Sequence, residues 1–218
     1  FADLIRSGQS PCRIHNNCSG KHTGFLTLAK HLGAGPDYLD TAHPVQKAVL
    51  QVFEELTGEE SPGVGIDGCS APNYTTSLHG LARAAAAFAT AHQRTDSRAK
   101  AQVRIIEAMM AYPHLVSGHG TSCTELMRLA GGRAAVKKGA DGMYVAILPE
   151  QGLGIAIKMS DGSERGRDPV IANLLDKLGI LPTGAASEQW TAPIVRNWAG
   201  IETGQVRPVA ALASRDIA

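Results

Sequence analysis

Apolar residues recur along this chain at two periods, and the changeover falls near residue 133. Before it the spacing is helical. GFLTLAKHLG (24–33) predicts a short helix stopped by Gly33, and HPVQKAVLQVFEELTG (43–58) a longer one. In the longer one Pro44 takes a first-turn position, where its missing N–H costs nothing, and His43 stands at the cap. Val45, Val49, Val52, Phe53 and Leu56 make its apolar face. SLHGLARAAAAFATAH (77–92) and AKAQVRIIEAMMAYP (99–113) continue the helical period, the second ended by Pro113. SCTELMRLAGG (122–132) opens with Ser122 and Glu125 at capping-box spacing. Between these segments, the glycine- and proline-rich SPGVGIDGCSAPNY (61–74) predicts a loop carrying a short extended piece. FADLIRSG, at the start, has the form of the last turns of a helix closed by a glycine.

Beyond residue 133 the period shortens. AAVKKGADGMYVAILPEQGLGIAIKM (134–159) holds three short apolar runs separated by the turn signals GADG and PEQG. They predict a three-stranded antiparallel meander. GRDPVIANLLDKLGIL (166–181) returns to helix, and the tail predicts a short helix from Trp190 to Trp198 and a strand from Thr203 to Arg207. Helices, then a meander, then helix define an α+β class, with an antiparallel sheet flanked by helices in a single domain over residues 1–218.

Composition and charge narrow the function. The chain has 218 residues, 44% of them hydrophobic, and a formal net charge of +1. No surplus of Lys and Arg is available to displace counterions, so a nucleic-acid partner is not expected. No apolar run approaches the roughly 20 residues of a membrane-spanning helix, and no signal-peptide pattern opens the chain. Four cysteines, Cys12, Cys18, Cys69 and Cys123, are too irregularly spaced for a secreted disulfide framework, which favours a reducing, cytoplasmic compartment. The chain begins with Phe1 and not with Met, which suggests the remainder of a longer protein.

Candidate chemistry concentrates in HNNCSGKHTGFL (15–26). A phosphate-binding loop needs a glycine five positions before its Gly-Lys pair and Ser or Thr after the Lys; His15 and His22 occupy those positions. Cys18 and Lys21, at i and i+3, point to one side of a helix start, and Cys69 lies in the second glycine-rich loop. Zinc takes thiolates readily, at about 2.3 Å. Lysine is a poor ligand, because holding it neutral at pH 7 costs about 3.4 pK units, or roughly 4–5 kcal/mol. Residue types alone leave three roles open for Cys18: a buried structural thiol, a metal ligand with Cys69, or a nucleophile with Lys21 lowering its pKa and His22 as base. Cys12 and Cys123 have no polar constellation in sequence and are expected to pack. Ser97-Arg-Ala-Lys100 spells Ser-x-x-Lys but lies in a polar run and is expected to be a solvated helix start. Lys138 closes a predicted strand ahead of Gly139, as an exposed turn lysine or an active-site one. His79, His92, His114 and His119 show no partner by spacing.

LIRSGQSPCRIHNNCSGKHTGFL, TAHPVQKAV and GIDGCSAPNYTTSLHGLARAAAAFA resemble the rhizobial-type (class 3) L-asparaginase family, as does VKKGADGMYVAILPEQGLGIAIKMSDGSERGR. The likeness runs to about Leu181, and NNCSGKH with DGCS is a specific pairing. The resemblance implies a serine β-lactamase and penicillin-binding-like fold, hydrolysis of L-asparagine to L-aspartate and ammonia, and a homodimer. It implies zinc held by Cys18, Lys21 and Cys69, with His22 and Asp67 as outer-sphere or substrate-contacting groups and Lys138 in the active site. The family's nucleophile is a serine in an Arg-Ser-x-x-Lys stretch, supported by an Ala-Ser-His serine, both upstream of NNCSGKH. Neither stretch occurs here, so the acylation half of the site is expected to be missing and the chain to be inactive or weakly active alone. A zinc-dependent amidohydrolase of another substrate, a non-catalytic zinc-stabilised binding domain, and a β-lactam-processing enzyme are the competing readings.

Overall fold

A computed structural model describes residues 2–213. The chain divides into two compact units, Phe1–Thr76 and Ser77–Ala218. The class is α+β, with small antiparallel sheets among helices.

In the first unit, α1 (Ala2–Arg6) ends at Gly8, whose φ of +70° closes the helix without a Cβ clash. A 3₁₀ turn at Arg13–His15 leads into α2 (Ser19–His31), which begins ahead of its apolar period, with Cys18 at the N-cap position and no side-chain capping bond. The α3 helix (Pro44–Thr57) has the expected bounds, and the His43 ring accepts from the Val45 N–H, satisfying one orphan donor of its first turn. The glycine-rich stretch forms a hairpin, β1 (Val64–Ile66) antiparallel to β2 (Pro72–Tyr74). Its tip is residues 67–71, where Ser70 holds a left-handed φ of 71°.

The second unit contains the core. It starts with α4 (Leu78–Ala89), capped by Ser77, and α5 (Ser97–Ala111), capped by Asp96. Ser97 and Lys100 are exposed on α5, as a solvated helix start requires. Pro113 both ends α5 and opens α6 (Pro113–Ser117), because a first-turn proline forfeits no hydrogen bond. Next comes α7 (Ser122–Ala130), whose cap is Thr121 and not Ser122. The capping box expected at Ser122 and Glu125 is therefore displaced. Ser122 is buried and accepts from the Tyr144 hydroxyl at 3.2 Å, while Glu125 accepts from the Gly120 N–H.

The meander forms as its alternation predicts: β3 (Ala135–Lys138), β4 (Met143–Leu148) and β5 (Leu153–Lys158), antiparallel in that order. Asp141 and Gly142 both take positive φ in the first turn, the two-residue hairpin geometry that Asp-Gly favours. Tyr144, Ala146 and Leu148 on β4 face Leu126, Met127 and Ala130 of α7, together with Ile171 and Leu175 of α8 (Glu164–Lys177). On the opposite face α4 packs so closely on β5 that a Cβ on Gly154 would lie 2.2 Å from the Ala82 carbonyl oxygen. The tail departs from its expected helix over Trp190–Trp198: α9 spans Ala185–Thr191, and Pro193 then leads into β6 (Ile194–Arg196). β6 pairs with β7 (Glu202–Gln205), and α10 (Ala210–Ala213) follows. Among the described residues no helix is long and apolar enough to cross a membrane.

Candidate metal centre

Two pieces of the first unit converge on one spot. Asn16 Oδ1 accepts from the Cys18 N–H at 2.8 Å, which fixes the backbone as it enters α2. Cys18 then stands at the cap, and Lys21 and His22 project from the first turn. Opposite them, Asp67 and Cys69 sit on the tip of the β1–β2 hairpin. That tip is held by the Ser70 N–H donating to the Asp67 carbonyl at 2.8 Å and by the Asp67 N–H donating to the Ala71 carbonyl at 2.9 Å. The ligand atoms of Cys18, Asp67 and Cys69 lie within 4.8 Å of one another.

Lys21 Nζ donates to Asp67 Oδ2 at 2.6 Å, and Asp67 Oδ1 accepts from the Gly68 N–H at 2.8 Å. His22 Nδ1 pairs with the Tyr38 hydroxyl at 2.8 Å, and its Nε2 is buried without a hydrogen-bond partner. The charges on this cluster differ from those of free side chains. The hydrogen bond from Lys21 holds the Asp67 carboxyl below the usual carboxylate range, against partial burial. Burial disfavours the Lys21 ammonium, but its bonds to Asp67 and Cys69 outweigh that and raise its pKa. Burial also acts against a Cys69 thiolate, yet the His22 ring, the Ala71 N–H, Lys21 and Cys18 bring Cys69 down to about 7. Cys18 is pushed up by burial and by sharing its proton with Cys69, and Lys21 opposes the shift.

The donor set suits a borderline-soft divalent ion. Two thiolates at about 2.3 Å from a tetrahedral zinc lie about 3.8 Å apart, inside the spread of this cluster. Five of the residues singled out in the sequence, Cys18, Lys21, His22, Asp67 and Cys69, are therefore neighbours. Lys138 stands in the second unit at the end of β3, with Nζ 3.9 Å from Glu164 Oε1.

Several partners carried no sequence signal. Tyr38 holds His22 from a loop with no periodicity. Arg167, 1% exposed, donates to the Gly139 carbonyl and pairs with Glu164 and Asp168, so it braces the turn that follows Lys138. Cys123 is buried as expected, but it is not purely a packing residue: its sulfur accepts from the Lys138 N–H at 3.0 Å and faces the Tyr144 hydroxyl. Cys12 is exposed, contrary to the packing role expected of it. His114 and His119 stack on each other, with ring centroids 5.3 Å apart.

A cavity of about 640 Å³ opens beside the cluster, lined by Arg13, Asn16, His22, Tyr38, Cys69 and Ser70 among others. No curated protein matches the chain. A family model described as L-asparaginase II matches residues 2–208, nearly the full length. The chain belongs to the L-asparaginase II family.

Proposed function

We propose that this protein is an amidohydrolase acting on L-asparagine, and that Cys18, Cys69 and Lys21 hold a zinc ion beside the substrate cavity. The observation that carries the reading is the meeting of Cys18, Asp67 and Cys69 donors at the hairpin tip, with Lys21 bonded to Asp67. Zinc bound there would supply a fixed positive charge and Lewis acidity. The remaining roles fall to side chains. Asp67 orients Lys21 and is assigned, as a carboxylate, to a substrate α-ammonium. Arg13, on the cavity wall, presents a planar guanidinium to a substrate carboxylate. Tyr38 fixes the His22 ring on the cavity wall. Lys138 is assigned to proton handling in the active site, on the family resemblance.

Acylation belongs, in this reading, to a serine whose Arg-Ser-x-x-Lys stretch finds no match in residues 1–218. Those residues alone are therefore expected to release ammonia from L-asparagine slowly; rapid release would place the nucleophile within them. Substrate binding is a separate test. Zinc-loaded protein titrated calorimetrically with L-aspartate, the product, should bind it, and Asp67→Ala should weaken that binding. No heat from the zinc-loaded protein would remove the cavity from the reading.

A second ligand set is favoured by one distance. The 2.6 Å Lys21–Asp67 pair keeps Lys21 protonated, and the Asp67 carboxylate lies within 4.8 Å of both thiols. Cys18, Cys69 and Asp67 would then bind the ion, with Lys21 as the outer partner that orients the carboxylate. We further propose a homodimer, as the family resemblance implies, in a reducing, cytoplasmic compartment, as the irregular cysteine spacing suggests.

A further inference from the structure

We propose that Cys18 and Cys69 form a peroxide-oxidisable dithiol, in which Cys69 is oxidised first and Cys18 resolves it to a disulfide that excludes the metal. The proposal rests on the metal-centre reading only for its consequence, loss of zinc; the thiol chemistry stands on its own geometry.

The two sulfurs lie within 4.8 Å of each other and both are partly exposed. A disulfide requires about 2.05 Å, so one sulfur must swing toward the other. Cys69 is in position to do so: it stands between Gly68 and a left-handed Ser70, outside the strand-paired residues 64–66 and 72–74 and within the turn closed by the Asp67–Ala71 backbone bond. Cys18 is the more fixed partner, at the cap of a 13-residue helix. Cys69 lines the cavity of about 640 Å³, so peroxide reaches its sulfur from the open side, whereas Cys18 is not among the residues lining it. Of the other thiols, Cys12 is exposed and Cys123 is buried in the second unit.

The steps balance. The Cys69 thiolate attacks one oxygen of hydrogen peroxide, the O–O bond breaks, and Cys69 sulfenic acid and hydroxide form. The Cys18 thiol then attacks the Cys69 sulfur, its proton leaves with the displaced hydroxyl as water, and the S–S bond closes. Two electrons pass from the sulfurs to the peroxide. Neither sulfur then remains a thiolate, so the ion loses both soft ligands.

The test uses the whole chain, chelated and then exposed to hydrogen peroxide, with intact-mass and peptide-mapping readouts. The expected result is a loss of about 2 Da, a cross-linked peptide joining Cys18 to Cys69, and reversal by dithiothreitol. Cys12→Ser should leave that cross-link unchanged. Cys18→Ser should stop the oxidation at a sulfenic acid on Cys69, trapped by a 1,3-dione. In a parallel zinc-loaded sample, released zinc should rise with the cross-link. A link through Cys12, oxygen addition with no cross-link, or persistence of both free thiols would overturn the proposal. Because the mass change is read on chelated protein, it is decided whether or not zinc is resident, and metal content alone decides the metal-centre reading.

Discussion

In Ser77–Ala218, α7, α8 and the meander share one continuous cluster of buried side chains, from Leu126 and Met127 to Tyr144, Leu148 and Leu175. In Phe1–Thr76 the buried apolar side chains are small and few, Ala29, Val45, Ala71 and Pro72, while Ile14 and Ile66 are 80% and 70% exposed. Polar devices take their place there. The His43 cap, the Asn16 bond to Cys18 and the Lys21–Asp67 pair set the backbone where a core would otherwise do so. A unit ordered by few apolar contacts gains most from a bound ion, because metal-binding free energy is then also folding free energy. A unit with a full core gains nothing from the ion and is most sensitive to changes in packing.

The largest effect expected to sharpen this contrast is Cys69→Ser. It should lower zinc affinity by more than about a hundredfold, since loss of an outer-sphere partner alone costs about ten- to a hundredfold. In hydrogen exchange, the substitution or chelation should deprotect the hairpin tip and the start of α2 while the β4 amides stay unchanged. Equal deprotection in both units would erase the distinction between them.

In the second unit the largest expected effect comes from one methyl group. Gly154→Ala drives a Cβ into the α4 backbone, where no side-chain rotation can relieve the clash. The cost should be about 3 kcal/mol or more, read as a lowered midpoint in thermal or denaturant unfolding. An unchanged midpoint would mean that α4 does not pack on β5 at that distance. Zinc content of this variant should remain normal at temperatures where it is folded.

Proton release upon zinc binding separates the two ligand sets. At pH 8, above the Cys69 value of about 7, Cys69 is mostly thiolate, whereas Cys18 and Lys21 keep their protons and Asp67 has none to lose. Binding through Cys18, Cys69 and Lys21 should therefore release one proton from Cys18 and a second from Lys21. Binding through Asp67 should release the Cys18 proton alone. Calorimetry in buffers of different ionisation enthalpy gives the count.

The smallest expected effect is at a helix cap. Ser77 accepts from the Gly80 N–H at 2.9 Å, and Ser77→Ala should cost about 1 kcal/mol without altering zinc content. A loss of zinc in this variant would contradict that expectation.

How much of this was legible in the sequence depended on whether a signal was periodic. The meander was legible because β4 alternates between its two covered faces and Asp-Gly suits the positive φ values of the first turn. The His43–Pro44 cap was legible because both residue types act locally. The capping box was not, because Ser122 is drawn into the core by Tyr144, a partner 22 residues away. The tail failed for a similar reason: an apolar period between Trp190 and Trp198 was interrupted by Pro193, and its strand pairs with residues 202–205. At the candidate metal centre, residue chemistry and the family resemblance picked out all five clustered side chains. Neither could show that Lys21 meets Asp67 across 46 positions or that Tyr38 holds His22, since such contacts exist only once the hairpin and α2 have come together.

The most direct measurement is metal content by elemental analysis, on the purified protein and on Cys69→Ser, each before and after chelation at neutral pH. About one zinc per chain in the parent, falling to background in Cys69→Ser, is the result predicted for a site built on two thiolates. A full complement of zinc in Cys69→Ser, or no zinc taken up by the parent when it is supplied, would contradict it.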